Sequence, residues 1–335
     1  MNGSIETANL VKLFPVSRRV FRPNEFKVAV DGLSMSIPRG RVTGLLGLNG
    51  AGKTTTIKIL ATLLRPTSGS VRVDDLDVVK DANAVRRRIN LIAGGERMVY
   101  ARMTGRENLW YFGQLYDVPR AVLRPRTDEL LRLVGLEKAG DIVVERYSRG
   151  MAQRLSIARG LINDPSYLLL DEPTLGLDAP IARELRLVVA RLANEGRGVL
   201  LTSHYLAEVE ELCDHIYVIG EGRHVAEGSA AALKAAGGCR PTVRIVVTNP
   251  TALIEAAAAD FAGRIDVTPV FERHETGALV VELRHPDEVA GPLASALVAA
   301  GAELGGLSVV EPTLEDAILS LADSHAEALA RETRV

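Results

Sequence analysis

The chain has 335 residues, enough for two domains that each bury a core, and a formal net charge of −2, which gives no global electrostatic reason to bind nucleic acid or an anionic membrane. Its two cysteines fit neither a disulfide framework nor a metal motif, and they suit a reducing cytosol. No basic and apolar leader and no apolar run of roughly 18 residues is present, so we expect a cytoplasmic protein that reaches a membrane only through a partner.

The first two thirds of the chain alternate between strand and helix patterns, as an α/β fold with a central parallel sheet does. Two alternating stretches, 4–14 and 26–37, predict an antiparallel edge sheet. Further strands are predicted at 41–46, 69–74, 88–93, 167–172 and 198–204, with a hairpin over 216–226. Helices are predicted at 53–64, 104–115, 128–134, 147–161 and 178–196, and a further helix follows the strand 198–204 and ends at about residue 213.

A helix-rich insert is predicted at about residues 98–165. Thr104 and Glu107 have the spacing of a capping box and open its first helix. This helix carries an aromatic and apolar stripe, which we predict to lie in the core: Leu109, Trp110, Phe112 and Leu115.

The last third of the chain has a different pattern. Residues 229–240 are rich in Ala and Gly and are predicted to be a linker. Beyond them, 243–250 and 279–286 resemble each other, and each is followed by a helix and a second strand. Two such β-α-β units predict a small α+β ferredoxin-like domain over 241–335, with a terminal helix capped by the segment 313–316.

Residues 47–54 match G-x-x-x-x-G-K-[ST], the phosphate-binding loop, between a predicted strand and a predicted helix. The glycines let backbone N–H groups point at a polyphosphate, and the helix N-terminus favours an anion. Lys53 brings a positive charge to the β- and γ-phosphates, and the hydroxyl of Thr54 is suited to ligate Mg²⁺.

Two later strands end in groups that complete a nucleotide-hydrolysing site. Asp171 and Glu172 follow an apolar run, where Asp171 would hold Mg²⁺ and Glu172 would polarise the attacking water. His204 ends the next strand and would contact the γ-phosphate. The alternatives are that the two carboxylates cap the following helix and that the histidine is structural.

The run Ser148-Arg149-Gly150-Met151, at the start of a predicted helix, resembles the Leu-Ser-Gly-Gly-Gln signature of the ATP-binding subunits of ABC transporters. With the motifs above, the resemblance covers about residues 5–228. It implies a P-loop ABC ATPase core over 1–228, with a mixed sheet and a helical subdomain at 98–165. It also implies that Lys53, Glu172 and His204 are catalytic. The ATP-binding residues that it implies are Phe14, Gly47, Asn49, Gly50, Ala51, Gly52, Lys53, Thr54, Thr55, Ser148, Gly150 and Asp178.

The resemblance further implies a homodimer that sandwiches two ATP molecules. Ser148 and the amide of Gly150 would contact the γ-phosphate held by the other copy, and Asp178 would bridge the two halves. A separate transmembrane permease would be the second partner. Cargo meets the permease, so the transported substrate cannot be read from this chain.

The chain departs from the family pattern in two places. Tyr147, Arg149 and Met151 replace signature residues, which we expect to be tolerated because Ser148 and Gly150 supply the phosphate contacts. Where the family has a Gln that touches Mg²⁺, this chain has Gly94-Gly95-Glu96; Glu96 is either a metal ligand with Thr54 and Asp171 or a solvent-exposed turn residue.

The adenine stack and the direction of transport depend on weaker motifs. Phe14 matches the stacking aromatic best, with Phe21 and Phe26 as alternatives. The run Val309-Val-Glu-Pro-Thr-Leu-Glu-Asp-Ala317 follows the repeat. With it, about residues 241–322 resemble the accessory domain of daunorubicin-resistance exporter ATPases, which implies export. Competing hypotheses are a non-transport ABC ATPase and a weakly hydrolysing regulatory module. The first tends to have tandem cores, a long coiled coil or basic arms, and the sequence has none of these.

Overall fold

A computed structural model describes residues 3–16, 26–94, 99–274, 277–285 and 289–332 of the protein. The chain divides into two compact units, Met1–Ala231 and Ala232–Val335, and each is described by itself.

The elements of the first unit alternate between strands and helices through most of its length. Its strands are β1 (Ser4–Pro15), β2 (Phe26–Pro38), β3 (Val42–Leu46), β4 (Ser68–Val73), β5 (Leu76–Asp77), β6 (Ile89–Ala93), β7 (Tyr167–Asp171), β8 (Gly198–Thr202), β9 (His215–Gly220) and β10 (Arg223–Gly228). Its helices are α1 (Lys53–Leu60), α2 (Ala82–Arg88), α3 (Gly105–Leu115), α4 (Arg120–Leu133), α5 (Arg149–Gly160), α6 (Ala179–Asn194) and α7 (Leu206–Leu212), and α8 (Ala230–Ala236) crosses into the second unit.

The central sheet has the strand order β10-β9-β3-β8-β7-β6. All neighbours in it pair in parallel except β10, which closes the hairpin with β9. Strands β3 and β8 are buried along their whole length, which agrees with the absence of charged side chains from both. The carboxyl ends of β3, β7 and β8 lie side by side, so whatever follows these strands meets at one edge of the sheet.

A second, antiparallel sheet has the order β2-β1-β4-β5 and packs its apolar face into one core with part of the central sheet. Asp74, just after β4, links the two sheets. Its carboxylate accepts hydrogen bonds from Tyr167 Oη at 2.6 Å and from Arg39 and Arg88 at 2.8 Å. Burial raises the pKa of Asp74, but the hydrogen bonds from Tyr167 and Arg39 outweigh burial and lower it.

Replacing Asp74 with alanine is expected to lower the free energy of unfolding of the first unit by about 2 kcal/mol, because the fully buried Tyr167 loses its acceptor and the two guanidinium groups lose theirs. Urea denaturation followed by tryptophan fluorescence measures this change, since the single tryptophan, Trp110, lies in this unit. Asp75→Ala is the matched control, because that neighbouring side chain is exposed.

The same contact predicts a pH dependence. The pKa of Asp74 is lower in the folded protein, so its contribution is complete above the unfolded carboxyl pKa of roughly 3.9 and is lost as the pH falls through the folded value. The difference between wild type and Asp74→Ala should therefore shrink on acidification below about pH 4. A difference that is unchanged there would remove the charged contact as the cause.

The helical insert contains α3, α4 and α5. The capping box at Thr104 and Glu107 is confirmed, with both reciprocal hydrogen bonds present. The prediction that the aromatic stripe of α3 is core is wrong in part, because only Leu109 is fully buried, whereas Trp110 is 38% and Leu115 60% exposed. The stripe is wider than the face that α3 packs against α4 and α5.

Two helix boundaries also differ from the prediction. Helix α4 begins at Arg120, not at 128, and contains Pro125; the buried Leu123, Leu130 and Leu131 stabilise it although the proline removes one hydrogen-bond donor. Helix α1 ends at Leu60, not at 64, because Thr62 adopts φ +61° and turns the chain back.

The second unit contains β11 (Thr242–Val247), α9 (Ala252–Arg264), β12 (Val270–Arg273), β13 (Leu279–Arg284), α10 (Ala290–Ala299), β14 (Leu304–Val310) and α11 (Leu314–Glu332). Its antiparallel sheet has the order β12-β13-β11-β14, so the ferredoxin-like topology is confirmed. Asp316 accepts hydrogen bonds from Thr313 at the start of α11. The stretch 229–240, expected to be a linker, contains α8 with Leu233 buried.

Among the helices of the described residues, none combines the length and the apolarity that a membrane span requires.

Candidate nucleotide-binding site

The loop between β3 and α1 curls around the ammonium group of Lys53. Lys53 is only 8% exposed, and its Nζ donates to the carbonyl oxygens of Gly47 at 2.7 Å and Leu48 at 3.2 Å. Burial lowers the pKa of Lys53, while the nearby carboxylates of Glu172 and Asp171 oppose that shift. The loop carbonyls therefore hold the ammonium in place, and phosphate oxygens can exchange for them as its acceptors.

Gly52 must be glycine for two independent reasons. Its φ of +104° lies in the left-handed region, and a Cβ there would come within 2.3 Å of the carbonyl oxygen of Ala29 on β2. This turn starts α1 directly at Lys53, so the free N–H groups of the first helical turn open toward the loop.

The second part of the site lies at the carboxyl end of β7. Asp171 pairs with Thr202 of β8, and Thr202 Oγ1 donates to Asp171 Oδ1 at 2.7 Å. The backbone N–H of Glu172 donates to the carbonyl and to the hydroxyl oxygen of Thr202, both at 3.1 Å. Glu172 has φ +53°, a strained conformation for a glutamate that these contacts hold in place.

Glu172 and His204 meet at this edge of the sheet. Their atoms Oε1 and Nε2 lie 2.6 Å apart, although 32 residues separate them in sequence. The imidazole is 46% and the carboxylate 25% exposed, so both reach solvent from which water can be recruited. A carboxylate oriented by an imidazole in this way can accept a proton from water.

The residues that would hold Mg²⁺ fit that ion. The hydroxyl of Thr54 is exposed at the start of α1, and Asp171 offers a carboxylate; both are hard oxygen donors. Mg²⁺ keeps several waters and needs only one or two protein ligands, so these two donors are sufficient.

The signature segment starts α5. Ser148 is the N-cap, and its Oγ accepts from the N–H of Met151 at 3.2 Å. Gly150 is buried, and a Cβ at this position would come within 2.4 Å of Ile181 on α6. Glycine therefore allows the two helices to approach each other. Arg149 is exposed and reaches the carbonyl oxygen of Gly176 at 3.5 Å.

The remaining predicted ATP contacts lie on two other elements. Asp178 is the N-cap of α6; its side chain is exposed and makes no capping hydrogen bond. Phe14 on β1 pairs with Lys27 of β2. Two residues further along β2, Ala29 borders the phosphate loop at Gly52. Phe26 is 53% exposed, and Phe21 lies outside the described residues.

The segment that replaces the family's Gln begins at the same edge. Gly94 follows β6, its N–H donates to the carbonyl oxygen of Asp171 at 2.8 Å, and a Cβ would come within 1.8 Å of the backbone of Glu172. Glycine is therefore required where this segment leaves the sheet. Glu96, predicted as a metal ligand, lies outside the described residues.

These features agree with comparisons to known proteins. The profile of the ABC transporter family matches residues 30–175. The daunorubicin resistance ATP-binding protein DrrA3 of Streptomyces coeruleorubidus is 40% identical over 304 residues, which cover 88% of this chain and 91% of DrrA3. The chain belongs to the ABC transporter family.

Two further proteins support the assignment. The daunorubicin/doxorubicin resistance ATP-binding protein DrrA of Streptomyces peucetius is 43% identical over 235 residues, covering 70% of this chain and 68% of that protein. A solved structure of the ATP-binding subunit of an ABC transporter superposes with a TM-score of 0.60 at 27% identity, covering 70% of this chain and 93% of the other. This ABC ATPase therefore binds and hydrolyses ATP on a P-loop core, as predicted.

Sequence reasoning missed one group in the site of this ABC ATPase. Thr202 contacts both Asp171 and the backbone of Glu172, yet it is the last residue of a buried strand that is otherwise apolar. The available signal was a hydroxyl residue at the end of a strand, two positions before His204. The roles assigned to Glu172, His204 and Ser148 stay predictions.

Proposed function

We propose that this protein is the ATPase subunit of an exporter that moves a small molecule through a separate membrane permease. The observation that carries the proposal is the 40% identity to DrrA3, which extends over 88% of this chain and so includes most of the second unit. On this proposal the protein works at the cytoplasmic face of the membrane, held there by the permease.

The proposed reaction uses the groups at the edge of the central sheet. Glu172 accepts a proton from the attacking water, and His204 keeps the carboxylate and the γ-phosphate in register. Lys53 balances the charge that develops on the phosphates, and Phe14 stacks on the adenine. Mg²⁺ held by Thr54 and Asp171 would neutralise part of the phosphate charge.

The active form on this proposal is a head-to-tail homodimer. Ser148 and the first turn of α5 offer N–H groups to an anion, and the exposed Arg149 adds positive charge beside them. The phosphate loop of the opposite copy would supply that anion. ATP would then favour the closed dimer and hydrolysis the open one, because the nucleotide contacts both copies only when they are closed.

A surface on the helical insert is suited to the permease. Tyr100, Tyr111 and Leu115 are 49%, 38% and 60% exposed, and the rings of Tyr100 and Tyr111 meet edge to face at 5.1 Å. Leu115 is one helical turn beyond Tyr111 on α3. Exposed apolar clusters of this kind are typical of protein interfaces.

Co-expression with a candidate membrane permease from the same genome tests the proposal. The protein should sediment with membranes only when the permease is present. With daunorubicin as the probe, the drug in the names of the relatives DrrA3 and DrrA, inverted vesicles should accumulate the drug with ATP but not with the Lys53→Ala variant. Tyr111→Ala with Leu115→Ala should reduce sedimentation about tenfold or more. The control Leu63→Ala changes a leucine that is 61% exposed after α1 and should have no effect.

Two outcomes would contradict the proposal. Membrane association that is independent of every co-expressed membrane protein would remove the permease partner. ATP-dependent uptake that persists with Lys53→Ala would show that this subunit does not power transport.

A further inference from the structure

Glu208, in the first turn of α7, is a buried carboxylate outside the motifs discussed above. It is 5% exposed, and glutamate is seldom buried to this extent without paired partners. Burying a charge is unfavourable unless hydrogen bonds and an opposite charge compensate for it. Its partners therefore indicate what the residue holds together.

Glu208 has three partners on three segments of the chain. One carboxylate oxygen, Oε2, accepts from the hydroxyl of Thr174 at 2.7 Å and from the hydroxyl of Ser203 at 2.9 Å. The other oxygen, Oε1, accepts from Arg186 of α6 at 3.2 Å. Both hydroxyl residues are themselves buried, at 3% and 5% exposure, so water does not replace these contacts.

The two hydroxyl partners flank the groups that act on ATP. Thr174 lies two residues after Glu172. Ser203 directly precedes His204, and its Oγ also accepts from the N–H of Tyr205 at 3.0 Å, so the backbone on both sides of the histidine is fixed. A single carboxylate oxygen thus joins the turn that follows Glu172 to the turn that carries His204.

We propose that Glu208 is a positioning residue for ATP hydrolysis, which holds the segments of Glu172 and His204 in register through Thr174 and Ser203. The inference depends on the roles of Glu172 and His204 proposed above. It explains why a carboxylate is needed at this position, because all three partners are donors and an ionised carboxylate is an acceptor only.

The predicted kinetic effect is on turnover and not on nucleotide binding. Glu208→Ala should lower kcat about 100-fold, the effect of a displacement of about 1 Å between reacting groups. The KM for ATP should stay within about twofold, because the phosphate loop does not contact Glu208. Glu208→Gln keeps one acceptor oxygen and should lose only roughly tenfold in kcat.

The matched control is Glu211→Ala. Glu211 lies on the same helix and pairs with the same guanidinium, through Arg186 Nε at 3.0 Å, but it is 59% exposed. The Glu211→Ala change should leave kcat unchanged. A fall in kcat equal to that of Glu208→Ala would mean that the ion pair with Arg186 matters and the hydroxyl contacts do not, and would overturn the proposal.

A second set of variants tests the route through the hydroxyls. Thr174→Val combined with Ser203→Ala should reproduce most of the loss in kcat, and adding Glu208→Ala should lower kcat by less than about twofold more, since the contacts are shared. The fluorescence of Trp110 monitors whether Glu208→Ala folds. If it does not fold, the hydroxyl variants and Glu208→Gln still test whether Glu208 positions the site.

The outcomes separate this proposal from the site assignment on which it depends. A kcat within about twofold of wild type for Glu208→Ala, with Glu172→Gln inactive, overturns the positioning role alone. A Glu172→Gln variant that hydrolyses ATP normally overturns the assignment of Glu172. A KM that rises in step with the fall in kcat also overturns the proposal, because it indicates a disturbed nucleotide site.

Discussion

Glu172→Gln is expected to lower ATP turnover about 1,000-fold, in line with the loss of a general base. The amide has nearly the shape of the carboxylate and can still meet His204 Nε2, now 2.6 Å from the carboxylate, but it cannot accept the proton of the attacking water. ATP binding should be retained, because Lys53 and the phosphate loop are unchanged. Phosphate release under single-turnover conditions measures the chemical step directly.

The control for this variant is Glu195→Gln. Glu195 is a glutamate at the end of α6 that pairs with Arg191 and Arg197 on the surface, and its change should leave turnover as in wild type. If Glu172→Gln hydrolyses ATP within about threefold of the wild-type rate, Glu172 is not the general base.

Lys53→Ala is expected to weaken ATP binding roughly 100-fold, which corresponds to about 3 kcal/mol for the loss of a charge-assisted contact to phosphate. The ammonium is buried under the loop and bound to two loop carbonyls, so its removal leaves those acceptors unpaired as well. Equilibrium titration with a fluorescent ATP analogue measures the change in Kd.

Lys58→Ala provides the comparison. Lys58 lies on the same helix, α1, but is exposed, so its removal lowers the local positive charge without touching the loop. Its Kd should match wild type. Equal losses for the two variants would mean that long-range charge, and not the placement of Lys53, sets the affinity.

The sequence was sufficient to predict those parts of the site that are short contiguous motifs. The phosphate loop follows β3, Asp171 and Glu172 lie at the carboxyl end of β7, and His204 follows β8. Parallel pairing then brings them to one edge of the sheet. The ferredoxin-like order of the second unit followed in the same way from its repeat.

The remaining features depend on tertiary packing, which one sequence does not encode locally. Glu208 and Thr202 look like ordinary helix and strand residues until the fold brings their partners within 3 Å. The extent of α4 was not predicted, because it depends on buried leucines that sustain the helix although it contains Pro125. Trp110 was predicted to be core because the pattern of a helix does not reveal how many of its faces are covered.

The proposed dimer requires that Ser148 of one copy complete the ATP site of the other. Light scattering measures whether the Glu172→Gln variant dimerises, with and without Mg²⁺ and ATP. The same measurement is made on Glu172→Gln combined with Ser148→Arg, or with Ser148→Thr, which preserves the helix cap. A nucleotide-dependent dimer is expected for Glu172→Gln, alone and with Ser148→Thr, and a monomer is expected under all conditions when Ser148→Arg is added to Glu172→Gln. An ATP-dependent dimer of undiminished stability with Ser148→Arg would contradict this role of Ser148.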